Sequence, residues 1–182
     1  MNPQLKKVIF LSSAVYFVNG LFLPVYYQIL MSRGIAQFGI LLGLVSIGSI
    51  ASAYVVGRLS DSRNSIRVLA LVLVIQSCVI ALYAGNWNIG MFYVLQFAFG
   101  SLGMAIITVL QSLVSKNSSG KEGRGMGTFN AFTQSFLGLG MIAGGFLVSA
   151  IGMSTSIESI AALLVGVGIY LLWASRKKSD VS

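Results

Sequence analysis

Gly57-Arg58-Leu59-Ser60-Asp61-Ser62-Arg63-Asn64-Ser65-Ile66-Arg67-Val68-Leu69 is a charged island. Arg58, Asp61, Arg63 and Arg67 stand in it, whereas residues 34–57 before them and 68–115 after them carry no charge. The same alternation runs through the chain. Residues 8–32, 125–157 and 159–175 are also uncharged, so all 12 basic and 4 acidic residues lie outside these runs. Of the 182 residues, 56% are hydrophobic and 9% charged. A soluble domain is about 25% charged, so these apolar runs face a solvent other than water.

A membrane-spanning helix needs roughly 20 apolar residues to cross about 30 Å of hydrocarbon. The run 68–115 is too long for one span and suits two, and the polar turn Gly85-Asn86-Trp87-Asn88-Ile89-Gly90 divides it. The pattern predicts an all-α membrane protein of six transmembrane helices, at about 8–31, 37–57, 67–84, 90–114, 125–150 and 156–174, forming a single domain over 1–182. The basic residues orient it. Every one except Arg33 falls on one side: Lys6 and Lys7, the charged island, Lys116, Lys121 and Arg124, then Arg176, Lys177 and Lys178. The positive-inside rule makes that side cytoplasmic, with both termini there, in a cell membrane. Trp87, Tyr83 and Tyr93 suit the outer interface, and Trp173 and Tyr170 the inner one. The first span is longer than a signal-peptide core, and no cleavage site follows it.

Several classes drop out. The basic residues are scattered among short loops, which argues against nucleic acid as a partner despite a net charge of +8. There is no histidine, which removes an intramembrane serine protease. No metal or cofactor is expected, and the chain is not expected to be an enzyme. Ser118-Ser119-Gly120-Lys121 lacks the first glycine and the following Ser/Thr of a phosphate-binding loop. An ABC permease subunit is the weaker alternative, because the longest loop, before the fifth span, is short for an ATPase contact. Cys78, the single cysteine, reads as a small buried hydrophobe.

Within the island, Gly57 allows close approach of a neighbouring helix, Asp61 can dock against the positive end of a helix, and the arginines can hold lipid phosphates. The spacing resembles the signature of the major facilitator superfamily, Gly-x-Leu-small-Asp-x-x-Gly-basic-basic-x-x-Leu. Gly57, Leu59, Ser60, Asp61 and Leu69 match it; Asn64 replaces the glycine, and Ser65 and Ile66 replace the basic pair. The run Gly123-Arg124-Gly125-Met126-Gly127-Thr128-Phe129-Asn130 is similar to the start of that family's fifth helix. Gly144-Gly145 without a following proline, and a fourth span without arginine, make the chain more like a C-terminal half. The resemblance implies one six-helix lobe built of two inverted three-helix repeats. It also implies a gating loop at Gly57, Arg58, Asp61, Arg63 and Arg67, and a cavity lined by the first, second, fourth and fifth helices, the third and sixth facing lipid. Gly39…Gly57-x-Leu59 recurs as Gly127…Gly145-x-Leu147, a faint echo of that repeat.

Polar residues inside a span usually face the bundle interior. Ser12, Tyr16, Asn19, Leu23 and Tyr27 share one face of the first helix, with Pro24 loosening the backbone beside them. Tyr93, Gln96, Gly100, Gly103, Ile107 and Gln111 form a stripe on the fourth; Asn130, Gln134 and Met141 lie on the fifth. Tyr16, Asn19, Tyr27, Gln96, Gln111, Asn130 and Gln134 are the candidate substrate contacts, though each serves equally well as helix-to-helix glue. They suit a small neutral or amphipathic solute. No carboxylate lies inside a span, so proton coupling has no seat in this chain. The expected function is half-size transport, most like drug or sugar efflux, as a homodimer or with a separate six-helix half. A truncated or accessory half without transport is the alternative. The initial methionine and the Arg176-Lys177-Lys178-Ser179-Asp180 tail read as a complete product.

Overall fold

The computed structural model describes residues 2–32, 35–60, 65–85, 87–118 and 120–179, with side chains for all of these but 35, 36, 59, 60 and 174–179. They form six helices: α1 (Pro3–Met31), α2 (Ile35–Ser60), α3 (Ser65–Leu82), α4 (Ile89–Asn117), α5 (Glu122–Ile151) and α6 (Met153–Ser179). All six carry a stretch long and apolar enough to cross a membrane. The helices overrun the uncharged runs because charge marks where lipid ends, not where a helix ends. At α1 the Asn2 side chain accepts a hydrogen bond from the Gln4 amide at 3.0 Å, and Pro3 occupies the first turn, where its missing N–H is not needed. At α4 the Asn88 side chain caps the Met91 amide at 2.9 Å. Between α5 and α6 the chain reverses on Gly152 alone, at φ 80°, a left-handed value that glycine adopts freely. Pro24 does not break α1, which runs continuously through it.

Lipid provides no hydrophobic force to press helices together, so they associate by close packing and hydrogen bonds. Three seams do this here. α1 packs along α5, α2 along α4, and α3 along α6. Exchanging the first three helices for the last three turns the α1–α5 seam into α4–α2 and leaves α3–α6 in place. That is the pairing an inverted three-helix repeat requires. At the first seam a Cβ on Gly140 would strike the Phe17 carbonyl, and one on Gly144 the Leu21 carbonyl. At the second, Gly100 faces the Val45 backbone and Gly48 the Phe97 carbonyl. Two serines stitch that seam: Ser49 Oγ donates to the Gly100 carbonyl at 3.1 Å, and Ser101 Oγ to the Gly48 carbonyl at 3.0 Å.

The glycines that make the seams are not those of the sequence echo. A Cβ on Gly39, Gly57, Gly127 or Gly145 meets nothing within 4 Å. Gly57 therefore brings no described residue close, and of the Gly-x-x-x-Gly spacings at Gly39–Gly43, Gly123–Gly127 and Gly140–Gly144 only the last sits at a crossing. Two further expectations fail. Cys78 is exposed on α3 rather than buried. Tyr83 is buried inside the bundle against Phe22, Tyr26, Phe92 and Phe99, not set at an interface. Trp87 is exposed and its indole N–H donates to the Leu82 carbonyl, closing the turn after α3.

The starts of α1, α3 and α5 and the ends of α2, α4 and α6 share one end of the bundle, the basic end. Lys116 Nζ donates to Ser65 Oγ at 3.2 Å there, tying the end of α4 to the start of α3. The seams give a direct contrast between neighbouring residues. Gly144→Val should destabilise the protein in detergent by the roughly 1–3 kcal/mol of an overpacked contact or more, read as a lower thermal unfolding midpoint. Gly145→Val, whose Cβ points into open space, should stay within about 0.5 kcal/mol of the parent.

Candidate functional site

A cavity of about 240 Å³ opens between α1, α4 and α5. Tyr16, Asn19 and Leu23 reach it from α1, Phe99, Gly103, Ile106 and Ile107 from α4, and Gln134 and Leu137 from α5. It lies beside the α1–α5 seam, and the seam fixes its walls. Asn19 is held from both sides: its Nδ2 donates to the Val15 carbonyl at 3.0 Å, and its Oδ1 accepts from Gln76 Nε2 at 2.9 Å. Tyr16 stands edge-on to Phe129 at 6.1 Å between ring centroids. The Tyr16 hydroxyl and the Gln134 amide make no hydrogen bond to the described residues, so both remain available to a solute.

The other candidate contacts lie elsewhere. Gln96 is fully buried, and its Oε1 accepts from the Tyr26 hydroxyl at 2.7 Å, which makes it a link from α4 to α1 rather than a wall of this cavity. Tyr27 is exposed and tilts against Tyr26 at 5.5 Å. Gln111 is half-buried and outside the cavity lining. Asn130 is exposed on α5, one turn before Gln134, on a face that none of the described residues covers.

The sequence pattern missed two features. The first is Gln76. Its helix was expected to face lipid, yet the residue is buried and reaches Asn19 across the bundle. A lone amide in an otherwise apolar span is the signal that points to it. The second is the aromatic cluster of Phe22, Tyr26, Tyr83, Phe92 and Phe99, in which Tyr26 and Phe99 stack at 4.9 Å. Phe22 and Tyr26, four residues apart, share a helix face and hint at it.

In the charged island, Arg58 lies over the Tyr54 ring at 4.8 Å from its own helix, and Arg67 is exposed at the start of α3. Asp61 and Arg63 lie outside the described residues. Across the basic end, the N-cap of α5, Lys121, makes no side-chain cap, leaving amide donors of the first turn open, and Glu122 is the acid of that turn. They border a depression of about 500 Å³ lined by Asn2, Asn117, Lys121, Arg124, Gly125 and Thr128 among others.

The Tyr26–Gln96 bond carries a test. Tyr26→Phe keeps the ring stack but leaves both ends of the buried Gln96 amide unpaired, because Nε2 already lacks a partner. Stability should fall by about 1–3 kcal/mol. Gln96→Met added to Tyr26→Phe should recover most of it in a double-mutant cycle by thermal unfolding.

A family model described as Major Facilitator Superfamily matches residues 8–182. No curated protein and no solved structure matches the chain.

Proposed function

The chain belongs to the major facilitator superfamily, a family of membrane transporters, and on that premise we propose that it is one six-helix lobe of a carrier for a small neutral or amphipathic solute. It works by rocking against a second six-helix lobe, either another copy or a separate chain, around a shared site at the membrane midplane. The observation that carries this reading is the outward face of α5. Asn130 and Gln134 are exposed there, in a helix that spans the membrane. Amides do not face hydrocarbon without cost, so this face borders a solute path or a partner. The cavity beside it supports the same reading. At about 240 Å³ it is below the roughly 300–1,000 Å³ that encloses a drug-sized ligand, as half a site would be.

The open glycines fit the place of a partner. Gly39 and Gly43 on α2, and Gly127 and Gly145 on α5, lie on surfaces where a Cβ would meet nothing. Small residues let a second lobe approach these two helices closely. At the basic end, the uncapped start of α5 beside Lys121 and Arg124 suits a carboxylate from that lobe. Asp61 of a second copy is the acid in this arrangement. The basic end is cytoplasmic in the cell membrane, by the positive-inside rule. Outward transport follows the likeness to efflux branches of the family, and proton coupling would need a separate six-helix chain, since a second copy also has no carboxylate inside its spans.

Two measurements test this. In a Cys78→Ser background, membranes co-expressing Gly57→Cys and Gly127→Cys chains should yield an oxidative cross-link between them, and its absence counts against self-pairing. Proteoliposomes should show solute flux in a panel of neutral and amphipathic compounds. Gln134→Leu and Asn19→Leu should each lower it about three- to tenfold, the effect of one lost hydrogen bond. No flux with any solute, alone or with a partner lobe, would mean a non-transporting accessory chain.

A further inference from the structure

A groove of about 1310 Å³ runs between the start of α1 and the end of α6 on the flank of the bundle. We propose that it binds one anionic phospholipid, with the phosphate at Lys6 and Lys7 and the acyl chains lying on either side of Phe10. The groove breaks the internal symmetry of the fold. α3 packs closely on α4, whereas α6, its counterpart in the repeat, makes a looser contact with α1. The gap opens at the basic end.

Its chemistry changes along its length. Lys6 and Lys7 form the rim, and neither meets a carboxylate among the described residues. Below them the walls are apolar: Leu11 and Ala14 from α1, and Leu163, Val167 and Leu171 from α6. From Tyr170 back to Ser159 the groove follows α6 for about 16 Å at 1.5 Å per residue. That is the depth of one leaflet, half of roughly 30 Å of hydrocarbon. Tyr170 lies at the rim beside Trp173, with 6.5 Å between ring centroids. Such a pair marks the level of the lipid headgroups. The lysines therefore stand at phosphate height and the walls at acyl-chain depth.

A second crevice starts from Lys6 and Phe10, which also line the groove. It holds about 320 Å³ and runs down between α1 and α5, past Phe132 and Phe136. Phe10 is thus a ridge, 75% exposed, with an apolar channel on each side and a cation above it. Two channels under one charged rim match a two-tailed lipid with an anionic head. Phe132 and Gln134 are two residues apart on α5 and so point to opposite flanks, which separates the lipid site from the solute cavity.

The test is native mass spectrometry of the full chain in detergent, titrated with phosphatidylglycerol or phosphatidylcholine. One phosphatidylglycerol should bind several-fold more tightly than phosphatidylcholine. Lys6→Gln and Lys7→Gln should each weaken phosphatidylglycerol on the order of fivefold and leave phosphatidylcholine unchanged. Arg58→Gln with Arg67→Gln should not alter the preference. Gly166→Leu fills the groove without striking the fold, since a Cβ there meets nothing within 4 Å, and should weaken both lipids. Equal binding of the two lipids overturns the site. So does a preference that survives loss of both lysines or disappears with the arginines, or a dimer through this face that excludes lipid.

Discussion

At the two symmetry-related seams of this bundle a backbone carbonyl occupies the space where another residue type would place its Cβ. The Phe17 and Leu21 carbonyls sit against Gly140 and Gly144, and the Val45 and Phe97 backbones against Gly100 and Gly48. Apolar side chains alone cannot hold helices together in lipid, because the tails are as apolar as leucine. Close backbone approach increases dispersion contacts and brings serine hydroxyls within reach of opposing carbonyls, as at Ser49 and Ser101. The remaining architecture depends on these contacts. They set which helices are neighbours, and so which faces are left over.

The leftover faces carry the candidate site. With α1 pinned to α5 and α2 to α4, a gap persists where α1, α4 and α5 meet, and Tyr16, Asn19 and Gln134 border it. Asn19 is fixed by Gln76, a residue on a helix that does not itself line the gap. The outward faces of α2 and α5 stay largely open, and they are equivalents under the internal repeat. This fold satisfies its own seams and still exposes the Asn130 and Gln134 amides on a spanning helix.

The six spans were legible because charge is excluded from hydrocarbon, and the breaks at Arg58–Arg67 and Lys116–Arg124 are unambiguous. The helix pairings were not. Among 21 glycines, Gly39, Gly57, Gly127 and Gly145 drew notice through their spacing along the chain, whereas Gly20, Gly48 and Gly100 act by their position across a seam. Tyr16, Asn19 and Gln134, which border the cavity, stand out in the sequence because they are polar groups inside spans. The same signal could not separate Gln134, which borders the cavity, from Gln96, which is taken up by Tyr26, since both are amides on cavity helices. Tyr83 illustrates the opposite error. Next to Trp87 it suggests an interfacial belt, yet it folds back into the aromatic cluster because Phe22 and Phe99 offer it apolar contact.

The claim that the chain is one lobe of a two-lobed carrier is tested most directly by counting helices per particle. The protein would be extracted from membranes with its native lipid, without cross-linking, and its assembly mass measured. Particles of twelve spans are expected, two copies or one copy with a second six-span chain. Particles containing a single copy and no partner, across the range of protein concentrations found in the membrane, would contradict it.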